Sequence, residues 1–433
     1  MNNNTITIPS QHHNTVTIPS GWSSLPINEV FEFIGTSSFS RNDLNYEVEE
    51  DSIYYIHYGD IHATYKNAVL DFDTEARIPV LNKDIKPSAH LLKEGDLIIA
   101  DASEDYEGIG EALEVYNLGN KKVLAGLHTF ALRDNSGKTT HGYRAYIFKN
   151  HEVKNRLKTI ATGSKVYGIS KGNLTKFKIT LPPYREQKKI AQILSTWDKA
   201  IVLQQQLIIQ KQQYKKAVMK KLLTGKIRLK GFEKSQWRLK KLGQIGTFLK
   251  GKGITKAEIV EIGKPCIRYG QIYSEYNYFV EEFKSFINDA SAKNSNPIFK
   301  NDLLFAGSGE TLEDIGKCIA YIKSDEAYAG GDIIILRPHS EDAHYLGYLL
   351  NSVEVKKQTF KLGQGHSVVH IYSSSLKNLK ITLPTPPEQQ KIVEILATWD
   401  KEIKTLQQQL IVIQEQKQGL MQQLLTGKLR VKI

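Results

Sequence analysis

Cysteine is nearly absent. Cys266 and Cys318 are the only two in 433 residues, which excludes a disulfide framework and a cysteine-based zinc spacing. A reducing cytoplasm is the natural compartment for such a chain. No apolar run approaches the roughly 20 residues that a membrane span requires. The opening MNNNTITIPS has neither the basic nor the apolar region of a signal peptide. A phosphate-binding loop is missing, because Gly309 to Lys317 has the wrong spacing and no Ser or Thr follows it. The 12 His are scattered without an HExxH pair, and no nucleophile, base and orienter stand together in sequence.

What is present is a long helix written twice. Leu181 to Lys226 opens on Pro182 and Pro183, suited to a helix start, and closes on Gly225, suited to a helix end. Leu383 to Lys428 repeats it without a gap at a shift of 202 residues. Both copies carry a heptad seam. In the second it runs Ile392, Leu396, Trp399, Ile403, Leu406, Leu410, Ile413, Lys417, Leu420 and Leu424. In the first it runs Ile190, Leu194, Trp197, Ile201, Gln204, Ile208, Lys211, Lys215, Val218 and Leu222. A seam sustained this long predicts that the two helices pack on each other as a coiled coil, with polar entries fixing register. Replacing Trp197 or Trp399 by Ala is expected to cost a few kcal/mol through a cavity.

The segments between the helices also repeat, more loosely. Trp237 answers Trp22, Tyr269-Gly-Gln-Ile272 answers Tyr58-Gly-Asp-Ile61, and the strand-like runs around Asp96 and Arg133 have partners around Asp302 and Arg337. Runs at 54–65, 96–101, 122–133 and 177–181 read as strands, and 142–158 as helix. The unit is one globular domain followed by one long helix, used twice. Its parts are a leader over 1–21, domain one over 22–183, and a central long helix with connector over 184–230. Domain two covers 231–385 and the C-terminal long helix 386–433. The leader holds a tandem echo, NTITIPS and NTVTIPS, read as short extended pieces with at least the first ten residues loose. The tail LLTGKLRVKI and the start ITIPSGW together repeat Leu222 to Trp237, so the repeat closes on itself. Net charge is +12, of which +10 falls in residues 185–230, a basic helix suited to phosphates or to an acidic partner.

The twin segments resemble the specificity subunit of type I restriction–modification systems. The residues that carry the resemblance are Leu-Pro, Glu-Gln-x-Lys-Ile and Leu-x-Thr-Trp-Asp-Lys in Leu181–Lys199 and Leu383–Lys401, followed by LLTGK at 222–226 and 424–428. It implies an α+β chain with two pseudo-symmetric mixed α/β target recognition domains, separated by two long antiparallel coiled-coil helices. It implies no catalysis and no cofactor in this chain. Each domain would read half of a bipartite, asymmetric duplex DNA site, and the helices would set the spacer. Two modification subunits would bring S-adenosylmethionine, and two restriction (motor-nuclease) subunits ATP and Mg; no membrane is involved. Ile190, Leu194, Trp197, Ile201, Ile392, Leu396, Trp399 and Ile403 would pair the helices and dock partners.

Polar residues in glycine-rich loops or beside the matched landmarks are the candidate DNA contacts, since such side chains read base edges and phosphates. In domain one they are Ser38, Arg41, Asn42, His57, His62, Lys66, Ser103 and Lys165. In domain two they are Lys250, Lys252, Lys256, Arg268, Gln271, Tyr273, Ser308, Gln364 and His366. Two other readings compete. Phe305-Ala-Gly-Ser-Gly309 and Leu181-Pro-Pro-Tyr184 look like the cofactor loop and catalytic tetrapeptide of an autonomous DNA adenine methyltransferase. Leu181, however, cannot accept a hydrogen bond from a target amino group. The repeat instead explains Phe305–Gly309 as a strand ending in a turn. The other alternative is a structural coiled-coil scaffold without DNA affinity.

Overall fold

Leu97, Ile98 and Ile99 are fully buried, and together they account for the architecture of the first half of the chain. A strand covered on both faces reads as an unbroken apolar run rather than an alternation. In this computed structural model, which describes residues 6–8, 16–75, 77–83, 85, 89–312, 314–363 and 369–433, Leu97–Ala100 is the centre of a five-stranded sheet. Its neighbours are Thr129–Arg133 and Ala112–Tyr116, both antiparallel, with Glu32–Ile34 and Val69–Asp71 at the edges. Side chains alternate across the sheet. Leu97 and Ile99 join a core with the helices Arg144–Lys149 and His151–Ile160, while Ile98 and Ala100 face a second core shared with Ile56, Val123 and Ala125.

The contacts divide the chain into two units, one of residues 1–206 with 408–433, the other of residues 207–407. The second repeats the plan of the first. Leu303–Ala306 lies between Ile333–Pro338 and Cys318–Ala320, with Leu303 and Phe305 in one core and Leu304 and Ala306 in the other. Phe305 to Gly309 is the end of this strand and a short second one, Ser308–Gly309, paired with Val369–His370. In each unit an arginine closes the end of the central strand. Arg133 binds Asp96 at 2.9 and 2.6 Å, and Arg337 binds Asp302 at 2.8 and 2.7 Å. Both cysteines are fully buried, and burial pushes the Cys266 thiol up to about 11.

The long helices are Tyr184–Leu223 and Pro386–Leu425, ending at Gly225 (φ +68°) and Gly427 (φ +69°). At these two positions a left-handed residue terminates the helix, where glycine carries no Cβ penalty. Each helix gives one half to each unit. In unit one Ile190, Ala191 and Leu194, from the start of the first helix, share a core with Leu424 and Leu425, from the end of the second. In unit two Ile392 and Leu396 share a core with Met219, Leu222 and Leu223. Within each unit, therefore, the helices pack together as the seam predicts, and they do so antiparallel. All its positions are buried or half-buried, while flanking residues such as Leu203 and Ile411 are exposed.

Three expectations need correction. Tyr58–Ala63, inside the run read as strand, is a helix, because His57 caps it by accepting from the Gly59 N–H. The span read as one helix is two, broken at Asn150, whose side chain caps the second by accepting from the Glu152 N–H. Trp197 and Trp399 are only half-buried, so the full cavity expected on truncation cannot form there. In the leader, Ile6–Ile8 and Val16–Ile18 pair antiparallel, so the echo is a two-stranded ribbon.

Leu194→Ala and Leu396→Ala are expected to cost about 2–5 kcal/mol each in denaturant unfolding, since both sites are sealed. The two Trp→Ala variants should lose clearly less; a larger loss at the tryptophans would move the weight of the seam to its middle.

Candidate nucleic-acid interface

The helices are tied to the domains by polar groups that occur twice. Glu186 is buried, and it accepts from Arg430 at 2.7 and 2.8 Å and from the Trp22 indole at 3.1 Å. At the equivalent place buried Glu388 accepts from Arg228 at 3.0 and 3.1 Å, Ser235 at 3.0 Å and the Trp237 indole at 3.2 Å. Arg430 also donates to the Ser20 carbonyl at 2.9 Å, so the tail is fastened beside the start of domain one. Further along, Asp198 joins Lys417 to the Tyr146 hydroxyl, and Asp400 joins Lys215 to the Tyr348 hydroxyl. The polar seam entries Lys417 and Lys215 are thereby accounted for. Lys215 also lies over the Tyr278 ring, 4.6 Å from its centroid; burial lowers its pKa and Asp400 opposes that.

In unit one the structure gathers several candidates around Tyr58. His57 lies 4.8 Å from it and His62 6.4 Å, ring to ring, and His128 joins them at 5.3 Å. His57 Nδ1 accepts from Gly59, so its neutral ring carries the proton on Nε2, and burial lowers its pKa. His62 Nε2 meets the Ala102 carbonyl at 2.9 Å, next to buried Ser103. Arg41 reaches buried Asp60, of the same helix as Tyr58, at 2.6 Å. Ser38 is exposed between Ser37 and Phe39, whose carbonyls receive the Tyr55 hydroxyl. Asn42, Lys66 and Lys165 are exposed and, among the described residues, show no bond to this cluster. Asp101, which lies 3.4 Å from His128, had no signal in its isolated position; burial raises its pKa against the pull of His128.

In unit two a cleft of about 880 Å³ brings together Lys256, Arg268, Gln271 and Tyr273, with Tyr269 and Lys284 added by the fold. A smaller hollow of about 230 Å³ holds Lys250 and Ser308, with His370 and Tyr372; Asp332 borders both. Gln271 and Ser308 are buried, and Ser308 Oγ is 2.9 Å from His370 Nδ1. Lys252 is exposed, its N–H donating to the Ala329 carbonyl. Gln364 and His366 lie outside the described residues. Tyr269 could have been found from its match to Tyr58; Lys284 had no landmark. Among the described residues no cluster of His, Cys, Asp or Glu could hold a metal ion, and no helix is long and apolar enough to cross a membrane.

Comparison with solved structures places the fold. The fold is similar to a chain from a study of complex assembly and conformational transition of the type I R-M system, at 17% identity and TM-score 0.60, covering 95% of this chain and 99% of that one. It is also similar to the type I restriction–modification S subunit of M. genitalium, at 15% identity and TM-score 0.52, over 96% and 98% of the two chains. The type I restriction modification DNA specificity domain matches residues 19–211 and again 234–415, and the chain belongs to that family. It is a DNA specificity subunit of a type I restriction–modification system, and such subunits are non-catalytic within the complex. Among its relatives, the MjaVIII specificity subunit of Methanocaldococcus jannaschii is 29% identical over 373 residues, 82% of this chain and 83% of that one. The EcoKI specificity subunit of Escherichia coli is 22% identical over 309 residues, 70% and 64% of the two chains.

Glu388→Gln should destabilise the protein by about 3–5 kcal/mol, because it leaves the Arg228 charge in the clamp without its counter-charge. Glu186→Gln should lose less, because Arg430 is 42% exposed and water answers part of its charge, and chemical denaturation measures both. Near-wild-type stability in the two variants would mean that the clamps do not hold the helices.

Proposed function

We propose that each globular domain reads one half of an asymmetric, bipartite site in duplex DNA, and that the paired helices set the unspecified spacer between the halves. One observation carries this reading: the two repeats keep their clamps alike and differ on the faces that could meet a ligand. Asp96–Arg133, Glu186–Arg430 and Asp198–Lys417 all recur as pairs, whereas His57 is answered by Arg268 and Asp60 by Gln271. Phosphate contacts from exposed lysines such as Lys66, Lys165, Lys250, Lys252 and Lys256 would fix register, while the cleft and the histidine cluster would discriminate bases.

On this reading the helices also dock two modification subunits. Leu203 and Ile411 in unit one, and Ile209 and Tyr214 in unit two, leave apolar surface exposed on otherwise polar flanks. Those partners would supply S-adenosylmethionine and adenine methylation in the cytoplasm. Two restriction subunits would add ATP- and Mg-dependent translocation and cleavage. The basic first helix suits an acidic partner surface or nearby phosphates.

Exchanging residues 22–183 for the corresponding domain of another family member should change one half-site in the methylome and leave the other untouched. A change in both halves would count against modular reading. Adding one heptad to each helix lengthens the rod by roughly 10 Å, which is about three base pairs. Methylome sequencing of that variant should report a spacer longer by about three positions. An unchanged spacer would remove the helices from that role.

A further inference from the structure

The two units carry the same element in the same place with different chemistry in it. After a buried strand, His57-Tyr58-Gly59-Asp60 opens the helix Tyr58–Ala63, and Arg268-Tyr269-Gly270-Gln271 opens the helix Tyr269–Ser274. In unit one the last of the four, Asp60, binds a guanidinium from elsewhere, that of Arg41. In unit two the last of the four, Gln271, is buried and faces inward. Its Oε1 accepts from the Arg268 N–H at 3.0 Å, and its Nε2 donates to Ser285 Oγ at 2.8 Å. Gln271 thus fixes the backbone of Arg268 and leaves no carboxylate for the Arg268 side chain.

That side chain is left unanswered. Arg268 lines the cleft of about 880 Å³, and its Nε is buried with no hydrogen-bond partner among the described residues. The residue as a whole is half-buried, so the part of the fork that remains open to the cleft is its pair of terminal nitrogens. Arg337, in the same domain, is closed instead by Asp302. A buried donor without a partner is destabilising, and a native fold that retains one calls for a reason.

We propose that Arg268 is the guanine-reading side chain of the second half-site, its two terminal amino groups spanning O6 and N7 in the major groove. This rests on the reading that domain two binds half of the site. A planar fork with two free donors matches the two acceptors that guanine presents side by side. A phosphate would accept the same fork, but the cleft is poorly charged for one. Lys256, Arg268 and Lys284 are set against Glu275 and Asp332 on the same lining. The two lysines are exposed point charges that suit phosphates, whereas Arg268 is half-buried and offers a planar fork of two donors.

The test uses the reconstituted complex with its modification subunits. Methylome sequencing first gives the wild-type site, and the domain exchange identifies which half belongs to domain two. Binding is then measured for duplexes in which each pair of that half is exchanged in turn. Wild type should lose on the order of 10- to 100-fold at one guanine. Arg268→Ala should bind the original and that one exchanged duplex equally, while still discriminating at every other position. Arg268→Lys keeps the charge without the fork; it should retain more affinity than Ala and only part of the discrimination, which separates reading from folding. The assignment is overturned if the second half-site contains no G·C pair. It is also overturned if Arg268→Ala weakens all duplexes alike with a salt slope reduced by about one, or if affinity and discrimination are unchanged. A wild-type complex without any bipartite motif would instead end the half-site reading itself.

Discussion

Two buried carboxylates govern this protein. Glu186 and Glu388 each stand at the start of a long helix, and each gathers an indole from the opening of its domain and a guanidinium from beyond the end of the other helix. Three separate stretches of sequence are thereby joined at one charge. The arrangement is costly to break because removing the anion leaves a cation in the clamp unpaired. Apolar packing supplies the bulk of the burial around each clamp, but it carries no direction. The carboxylate gives the helix a defined angle of departure from its domain, and the Asp198–Lys417 and Asp400–Lys215 pairs fix register further along.

Sequence made this frame legible because its physics is periodic. Steps of three and four in the helices mark the seam without any knowledge of tertiary contacts, and even the polar entries Lys215 and Lys417 occupy seam positions that the structure covers. The double-sided strand at Leu97–Ile99 announced itself as a continuous apolar run. The cluster and the cleft were less readable. Tyr58–Ala63 was lost to its β-branched and aromatic flanks, although a capping histidine overrides them. Gln271 looked like a reader and is buried with its amide engaged on both sides. Lys284 enters the cleft from a loop, just before the strand Ser285–Ile287, where no motif marks it. Glu186 and Glu388 were visible only as parts of a motif, because partners far away in sequence give them their meaning.

The contrast between frame and face follows from how the two are stabilised. Clamps and cores are overdetermined, with each group answering several others, so the two copies keep the same residue types there. The faces around Tyr58 and Arg268 contain groups that the fold does not fully answer: a desolvated histidine beside an aromatic ring, and a guanidinium with a sealed, empty donor. Unanswered polarity of this kind can change between copies without disturbing the frame.

The thiols offer a practical opening. Cys266 and Cys318 are completely enclosed, and burial drives both towards the unreactive protonated form. The chain contains no other cysteine. A single cysteine engineered at an exposed flank such as Tyr214 would therefore be the one group to take a maleimide dye from the native protein. Fluorescence from such a label would report on assembly with no background from the natural sulfurs.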